Sequence, residues 1–391
     1  MRDDLVYLDY AATAAVRPDV VADAVAQFLK SNGATPGRGG HRLSIDAGRI
    51  ALRCRRLLAG LLGIPGDPGR IAFQHNATHA LNTALCGVLR EGDIVVTTSV
   101  EHNAVMRPLH ALARERAVEV RRIPADAEGA LDLEAAHRLV DGARLLAITA
   151  ASNVLGTRTP VAQLAHSAHD AGALVLVDAA QAAGSVPLDA GALGIDLLAL
   201  TGHKALLGPQ GVGALWVRPG LDVAPLLTGG TGGDSLDPAM PNALPDHLEA
   251  GTLNAPGIAG LAAALEWLCA EGPERLRARE MALKRVLYDG LQAMPGVRVL
   301  SPAAPDGVPI VTITAEGIDP SALASRLDRE HGVLTRPGLH CAPDAHRLMG
   351  TEQTGAVRFS LGWASTESDV ARALAAVGAL TAPPAMRTLA H

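Results

Sequence analysis

Aromatic side chains make up only 2% of the 391 residues. No aromatic cage for a ring-bearing substrate is evident. Basic runs are equally scarce. The net charge is -6, and pairs such as Arg121-Arg122 stand isolated. No positive stripe tracks a phosphate backbone, which argues against nucleic acid as a partner. No stretch approaches the ~18 uninterrupted apolar residues of a membrane span, so no membrane association is expected. The opening MRDDLVYLDY has acids where a signal peptide carries bases, and a cytoplasmic protein is expected. Cysteine is sparse too, with Cys54, Cys86, Cys269 and Cys341 as the four. They form no CxxC pair, so neither a zinc site nor a disulfide framework is indicated and no metal is expected. Three lie in apolar helical patterns and read as small buried hydrophobes. Cys341 differs: in TRPGLHCAPDAH it sits between prolines, in a loop.

Hydrophobic residues make up 48% and charged residues 19%, a globular balance with ample core. The length suits one large and one smaller domain. DIVVTT, AVEVRRI, RLLAITA, ALVLVD, DLLALT and GVGALWV read as strands. Helical stretches such as VAQLAHSAHDAG lie between several of them. Nearly continuous apolar strands alternating with helices imply an α/β fold with a mostly parallel, doubly wound sheet. Its ligand site belongs at the carboxyl ends of the strands. Near residue 257 the texture changes to two long helices, then a shorter strand-helix series. The expected division is a large domain over 18–256 and a smaller α/β domain over 257–391. Segment 1–17 is a candidate to join the smaller one. The glycine-rich TGGTGGDS at 228–235 lacks the lysine and helix of a P-loop and reads as a loop.

Polar residues cluster where the apolar strands end. Asp178 follows ALVLV, with Gln181 three residues on. His203 and Lys204 follow DLLALTG. His102 follows IVVTTSVE, and Asn153 follows AITAAS. Thr78 opens a helix after FQHNA. Each has an ordinary explanation alone: Asp178 or Thr78 as a helix cap, Lys204 as a turn lysine, His102 as a surface histidine. One ligand would use them all. Pyridoxal 5'-phosphate (PLP) needs a lysine for its Schiff base, an acid facing its pyridinium nitrogen and a phosphate cradle.

These motifs resemble the class V aminotransferase-like PLP enzymes. Within them the chain is most similar to cysteine desulfurases of the short-loop (Suf-type) branch. The most specific segments are SNVLGT, VLVDAAQA, TGHKALLGPQGVGAL, EAGTLNAPGIAGL and RPGLHCAP. The resemblance implies fold type I of the PLP-dependent transferases. Lys204 would carry the Schiff base, Asp178 would face the ring nitrogen, and Gln181 would reach the ring oxygen. His102 would stack on the ring and serve in acid-base chemistry. Thr78, Thr201 and His203 would hold the phosphate. Thr252 would reach the cofactor of a neighbouring subunit, which implies a homodimer. Arg358, with Asn153 and Arg336, would bind the substrate carboxylate. Cys341 would take sulfur from L-cysteine as a persulfide, leaving L-alanine, and pass it to an acceptor protein. Arg336, and His340 if protonated, would favour its thiolate.

The chain departs from the family at NATHAL, where Ala77 replaces a usual hydroxyl, leaving Thr78, Asn76 and backbone amides. Competing readings are a selenocysteine lyase, an aminotransferase, an epimerase or a C–S lyase of secondary metabolism. A different class is a non-catalytic PLP-binding partner that carries sulfur. The low aromatic content argues against kynureninase-like chemistry. Cys341 favours sulfur or selenium removal, because a transaminase has no use for it.

Overall fold

The computed structural model describes residues 5–37, 39–232, 236–303 and 305–382. Residues 233–235 of the glycine-rich stretch lie outside these. The first half of the chain contributes β1 (Val6–Tyr7), α1 (Asp19–Ser31), α2 (Arg42–Leu61), β2 (Ile71–Gln74), α3 (Ala77–Val88), β3 (Ile94–Thr98), α4 (Asn103–Glu115) and β4 (Glu119–Ile123). It continues with α5 (Leu133–Leu139), β5 (Leu145–Thr149), α6 (Val161–Asp170), β6 (Leu174–Asp178), β7 (Leu197–Thr201) and β8 (Gly213–Val217). Seven of these strands form one sheet in the order β2-β8-β7-β6-β5-β3-β4. β7, β6, β5, β3 and β4 run parallel, and β8 is antiparallel to both neighbours.

The apolar strand runs explain the layering. β5, β7 and β8 are buried at every residue, so both faces need cover. Successive side chains point to opposite faces. Leu146 and Ile148 of β5 pack with Leu58 of α2 and Leu164 of α6. Leu145 and Ala147 pack with Leu81 of α3 and Leu109 of α4.

The second half contributes α7 (Ala255–Glu271), α8 (Pro273–Gln292), β9 (Val297–Val299), β10 (Ile310–Ala315), α9 (Pro320–His331) and β11 (Val333–Leu334). Then come β12 (Arg336–Gly338), α10 (Pro343–Leu348), β13 (Ala356–Ser360) and α11 (Glu367–Thr381). β12-β13-β10-β9 form an antiparallel sheet. β1 pairs in parallel with β11, and Asp9 bridges to Ser360. The N-terminal strand therefore lies on the second unit.

The division expected at 257 falls inside α7. Ile258, Leu261, Leu265 and Leu268 of this helix pack in the core of the large sheet. Phe28 of α1 packs against its Ala255 and Ala259. Gly272, at φ +82°, closes α7. We propose the boundary there, with 1–17 grouped with the second unit. Among the described residues, no helix is long and apolar enough to cross a membrane.

Candidate active site

The order of the strands reverses between β3 and β5. The crevice at such a switch point is where a doubly wound sheet holds ligands. A cavity of about 310 Å³ opens there, large enough for a small cofactor. The large sheet supplies His102, Asn153, Asp178, Gln181, Thr201, His203 and Lys204 to its lining. Thr78 comes from the start of α3, and the second unit adds Arg336, Cys341 and Arg358. Thr252 alone among the expected site residues does not line it. Thr252 is exposed beside a separate groove lined by Thr35, Gly230 and Pro245.

Local structure fixes the side chains. His102 caps α4, its Nδ1 accepting the Ala104 N–H at 3.0 Å. Its proton therefore sits on Nε2. Burial, then Lys204 and Arg358, pulls its pKa down to about 4, so the ring is neutral. Asp178 ends β6 at 5% exposure and accepts the Ala180 N–H at 2.8 Å. Burial raises its pKa, while that hydrogen bond and Lys204 oppose the rise. Lys204 follows β7. Burial pulls its amine down to about 8, against the attraction of Asp178. Among the described residues, no carboxylate lies within ion-pair distance of Lys204.

The phosphate region departs from a simple two-hydroxyl turn. The Oδ1 of Asn76 accepts the His79 N–H at 2.9 Å to cap α3. That leaves Thr78 at the mouth of the helix. Thr201 Oγ1 is buried and, among the described residues, has no partner. The Thr13 hydroxyl contacts both the carbonyl of His203 and its Nδ1, at 3.2 and 3.1 Å.

Several determinants were not expected from sequence. Asp9 joins both arginines: its Oδ2 accepts from Arg336 at 2.8 Å and its Oδ1 from Arg358 Nη2 at 3.0 Å. Arg358 is 3% exposed, and its Nη1 donates to the Asn153 carbonyl at 3.0 Å. The only signal for Asp9 was an acid placed directly after an apolar strand. Glu101 is fully buried beside His102. Its Oε1 accepts from Thr98 Oγ1 at 2.6 Å and from the Thr149 N–H at 3.0 Å, while Oε2 has no partner among the described residues. Burial pushes Glu101 up to about 8, so it is a neutral acid near neutrality.

Two expectations are corrected. Cys86 is only half-buried and Cys269 is exposed, the latter because α7 is apolar around much of its surface and pattern alone did not mark its outer face. His340 supplies no cation to Cys341. Burial, with Arg358 nearby, pulls its pKa down to about 3, and Asp9 balances the Arg336 charge. Among the described residues, no group of three or more His, Cys, Asp or Glu is arranged to hold a metal.

A mostly parallel sheet carrying a lysine and a buried aspartate at its carboxyl edge, closed by a second α/β unit, defines fold type I of the PLP-dependent transferases. The aminotransferase class-V model matches residues 6–373, and the chain belongs to that family. A probable cysteine desulfurase of Methanothermobacter thermautotrophicus is 34% identical over 94% of this chain and 92% of its own. One from Halobacterium salinarum is 36% identical over 96% of this chain and 91% of its own. The apo cysteine desulfurase of Thermococcus onnurineus superposes with a TM-score of 0.90 at 30% identity, covering 97% of this chain and 95% of that one.

The family works with PLP, and the cavity fits that group. The unpartnered Thr201 hydroxyl and the free amides at the start of α3 suit a phosphate. An amine with a lowered pKa suits an aldehyde. Because only the neutral amine attacks, capture of PLP by the apo protein is expected to accelerate about tenfold per pH unit and level off once Lys204 is deprotonated. The bend falls at about pH 8, with the plateau above it. Stopped-flow absorbance checks this; a rate still climbing through the ordinary lysine range would refute the assignment.

Proposed function

We propose that this protein is a PLP-dependent cysteine desulfurase. It converts L-cysteine to L-alanine and takes the sulfur onto Cys341 as a persulfide. The observation that carries the reading is a loop thiol, Cys341, lining the same cavity as Lys204, Asp178 and Arg358. The names of the relatives support it. Residues 339–342 alone join β12 to α10, which supports the short-loop branch.

Lys204 would hold the cofactor covalently, with Asp178 at its ring nitrogen and His102 and Gln181 at the ring. Thr78, Thr201 and His203 would hold its phosphate. When bound, PLP supplies an electron sink for charge developing at the substrate α-carbon. Arg358 would clamp the substrate carboxylate, with Asn153 and Arg336 completing that end of the pocket. Lys204 would also take the α-proton and return a proton to the product carbon. The Cys341 thiolate attacks the substrate sulfur. The Cβ–S bond breaks and an S–S bond forms, so cysteine and a thiol become alanine and a persulfide.

Cys341 is exposed, which supports relay of sulfur to an acceptor protein. Thr252 is exposed and outside the cavity, which supports a homodimer in which it completes the neighbour's phosphate site. The cysteines are free, which supports work in the reducing cytoplasm.

The test is turnover of L-cysteine by PLP-loaded protein with a thiol reductant. Alanine and sulfide are expected in equal amounts. Pyruvate instead of alanine would mean a C–S lyase, and alanine from selenocysteine alone would mean a selenocysteine lyase.

A further inference from the structure

The Cys341 loop holds two successive side-chain-bearing residues in the left-handed region. His340 has φ +51° and Cys341 φ +57°. Such residues persist only where their surroundings over-determine them. On the cavity side two contacts do this. The Asn153 amide donates to the His340 carbonyl, and the Asn103 N–H donates to the Cys341 carbonyl, both at 2.7 Å.

The rest of the restraint comes from behind the loop, through His346 and Thr351, buried side chains that do not line the cavity. His340 Nε2 faces the Arg336 carbonyl at 2.9 Å. A carbonyl only accepts, so Nε2 carries a proton. His340 Nδ1 lies 3.0 Å from His346 Nε2, and His346 Nδ1 lies 2.8 Å from Thr351 Oγ1. A neutral His340 accepts at Nδ1, so His346 Nε2 donates to it. His346 Nδ1 then accepts the Thr351 hydroxyl proton at 2.8 Å, the His346 carbonyl being the more distant acceptor at 3.4 Å. Each proton in the chain thus has one consistent position. Burial keeps both rings neutral, pulling His340 down to about 3 and His346 to about 4. His346 is 0% and Thr351 4% exposed. The far end is tied to the backbone. The Thr351 N–H donates to the His346 carbonyl at 2.8 Å, and the Gly355 N–H to the Thr351 carbonyl at 2.7 Å. Gly355 stands directly before β13, the strand that carries Arg358.

We infer that His346 and Thr351 are positioning residues for Cys341: the chain Thr351–His346–His340 holds the loop in its left-handed conformation and keeps the thiol at the cavity. The inference rests on the desulfurase reading for what the thiol does, though not for how the loop is held. His346 is not itself catalytic, since it touches neither the cavity nor the thiol.

The experiment compares His346→Leu, His346→Gln and Thr351→Val with wild type, all loaded with PLP. The glutamine variant keeps an N–H for His340 and an acceptor for Thr351. The valine variant removes only the last hydroxyl, so it gives an answer even where the leucine variant does not fold. Single-turnover persulfide formation on Cys341 is expected to fall roughly 10²-fold in His346→Leu, the scale of a misplaced reacting group. The KM for cysteine and the PLP absorbance should not move. Glutamine should restore most of the rate, and Thr351→Val should lie between. Amide exchange across 336–343, which needs no substrate, should rise roughly tenfold in the leucine variant, the weight of one lost buried hydrogen bond. It should rise less in Thr351→Val and stay near wild type in the glutamine variant. Wild-type persulfide rates and exchange in His346→Leu and Thr351→Val would overturn the inference, as would a glutamine variant as slow as leucine. If wild type itself forms no persulfide, the desulfurase reading fails, and amide exchange alone still decides whether His346 holds the loop.

Discussion

Cys341→Ala is expected to abolish alanine formation from L-cysteine while leaving PLP bound. The loss should reach about 10³-fold or more, as when a nucleophile is removed from a site that otherwise stays intact. No other thiol can stand in. Cys54 is fully buried in the core, where its pKa is pushed up to about 12, and Cys86 and Cys269 do not line the cavity. The cofactor groups are untouched, because Cys341 comes from the second unit and Lys204, Asp178 and Thr201 from the large sheet. Two measurements separate the roles. PLP absorbance should match wild type, and intact-mass analysis after one turnover should show no added sulfur. Wild-type alanine production in this variant would sink the persulfide route and leave a lyase that expels sulfur directly.

The parts of the site that were legible share one property. Lys204, Asp178, His102 and Asn153 follow apolar strand runs, and an apolar run with a polar end carries its own orientation in a doubly wound sheet. The strands from β3 to β8 were readable for the same reason. β2 was not, since four residues between a turn and a helix start give too short a pattern. Asp9, Glu101, His346 and Thr351 were missed for a different reason. Asp9 meets Arg358 across 349 positions, and Glu101 meets Thr149 across 48. Periodicity reports which face a residue occupies but not which distant residue shares it. His346 was hidden by its ordinary surroundings, a short helix behind the Cys341 loop. Its contact with His340 depends on the turn at 340–342, which no pattern encodes. The neutral state of His340 was also beyond sequence, because it follows from burial and from the Arg358 guanidinium nearby.

Lys204→Ala is expected to remove covalent PLP attachment completely and α-proton chemistry nearly so. In wild type, borohydride reduction should fix one PLP per chain on Lys204, visible as a mass increase. The variant should show none. It should still bind PLP reversibly, because Thr201, His203 and the amides of α3 are intact. Exchange of the alanine α-hydrogen in deuterated water reads the proton step without any need for Cys341. It should fall about 10²–10⁴-fold, the usual worth of a positioned acid-base group. The loss has an electrostatic companion. After the Ala180 N–H, Lys204 is the group that opposes the burial-driven rise in the Asp178 pKa, so its removal shifts that pKa upward. An Asp178 carboxyl shifted upward is a weaker partner for a charged ring nitrogen, so the absorbance of PLP held by the variant should depend on pH more than that of wild type. Lys204→Arg separates the two effects. It keeps a positive charge near Asp178 but cannot deprotonate, so it should restore the absorbance behaviour and not the exchange. A variant without Lys204 that still gained the cofactor mass on reduction would overturn the assignment, and with it the reason a lysine sits at the end of β7.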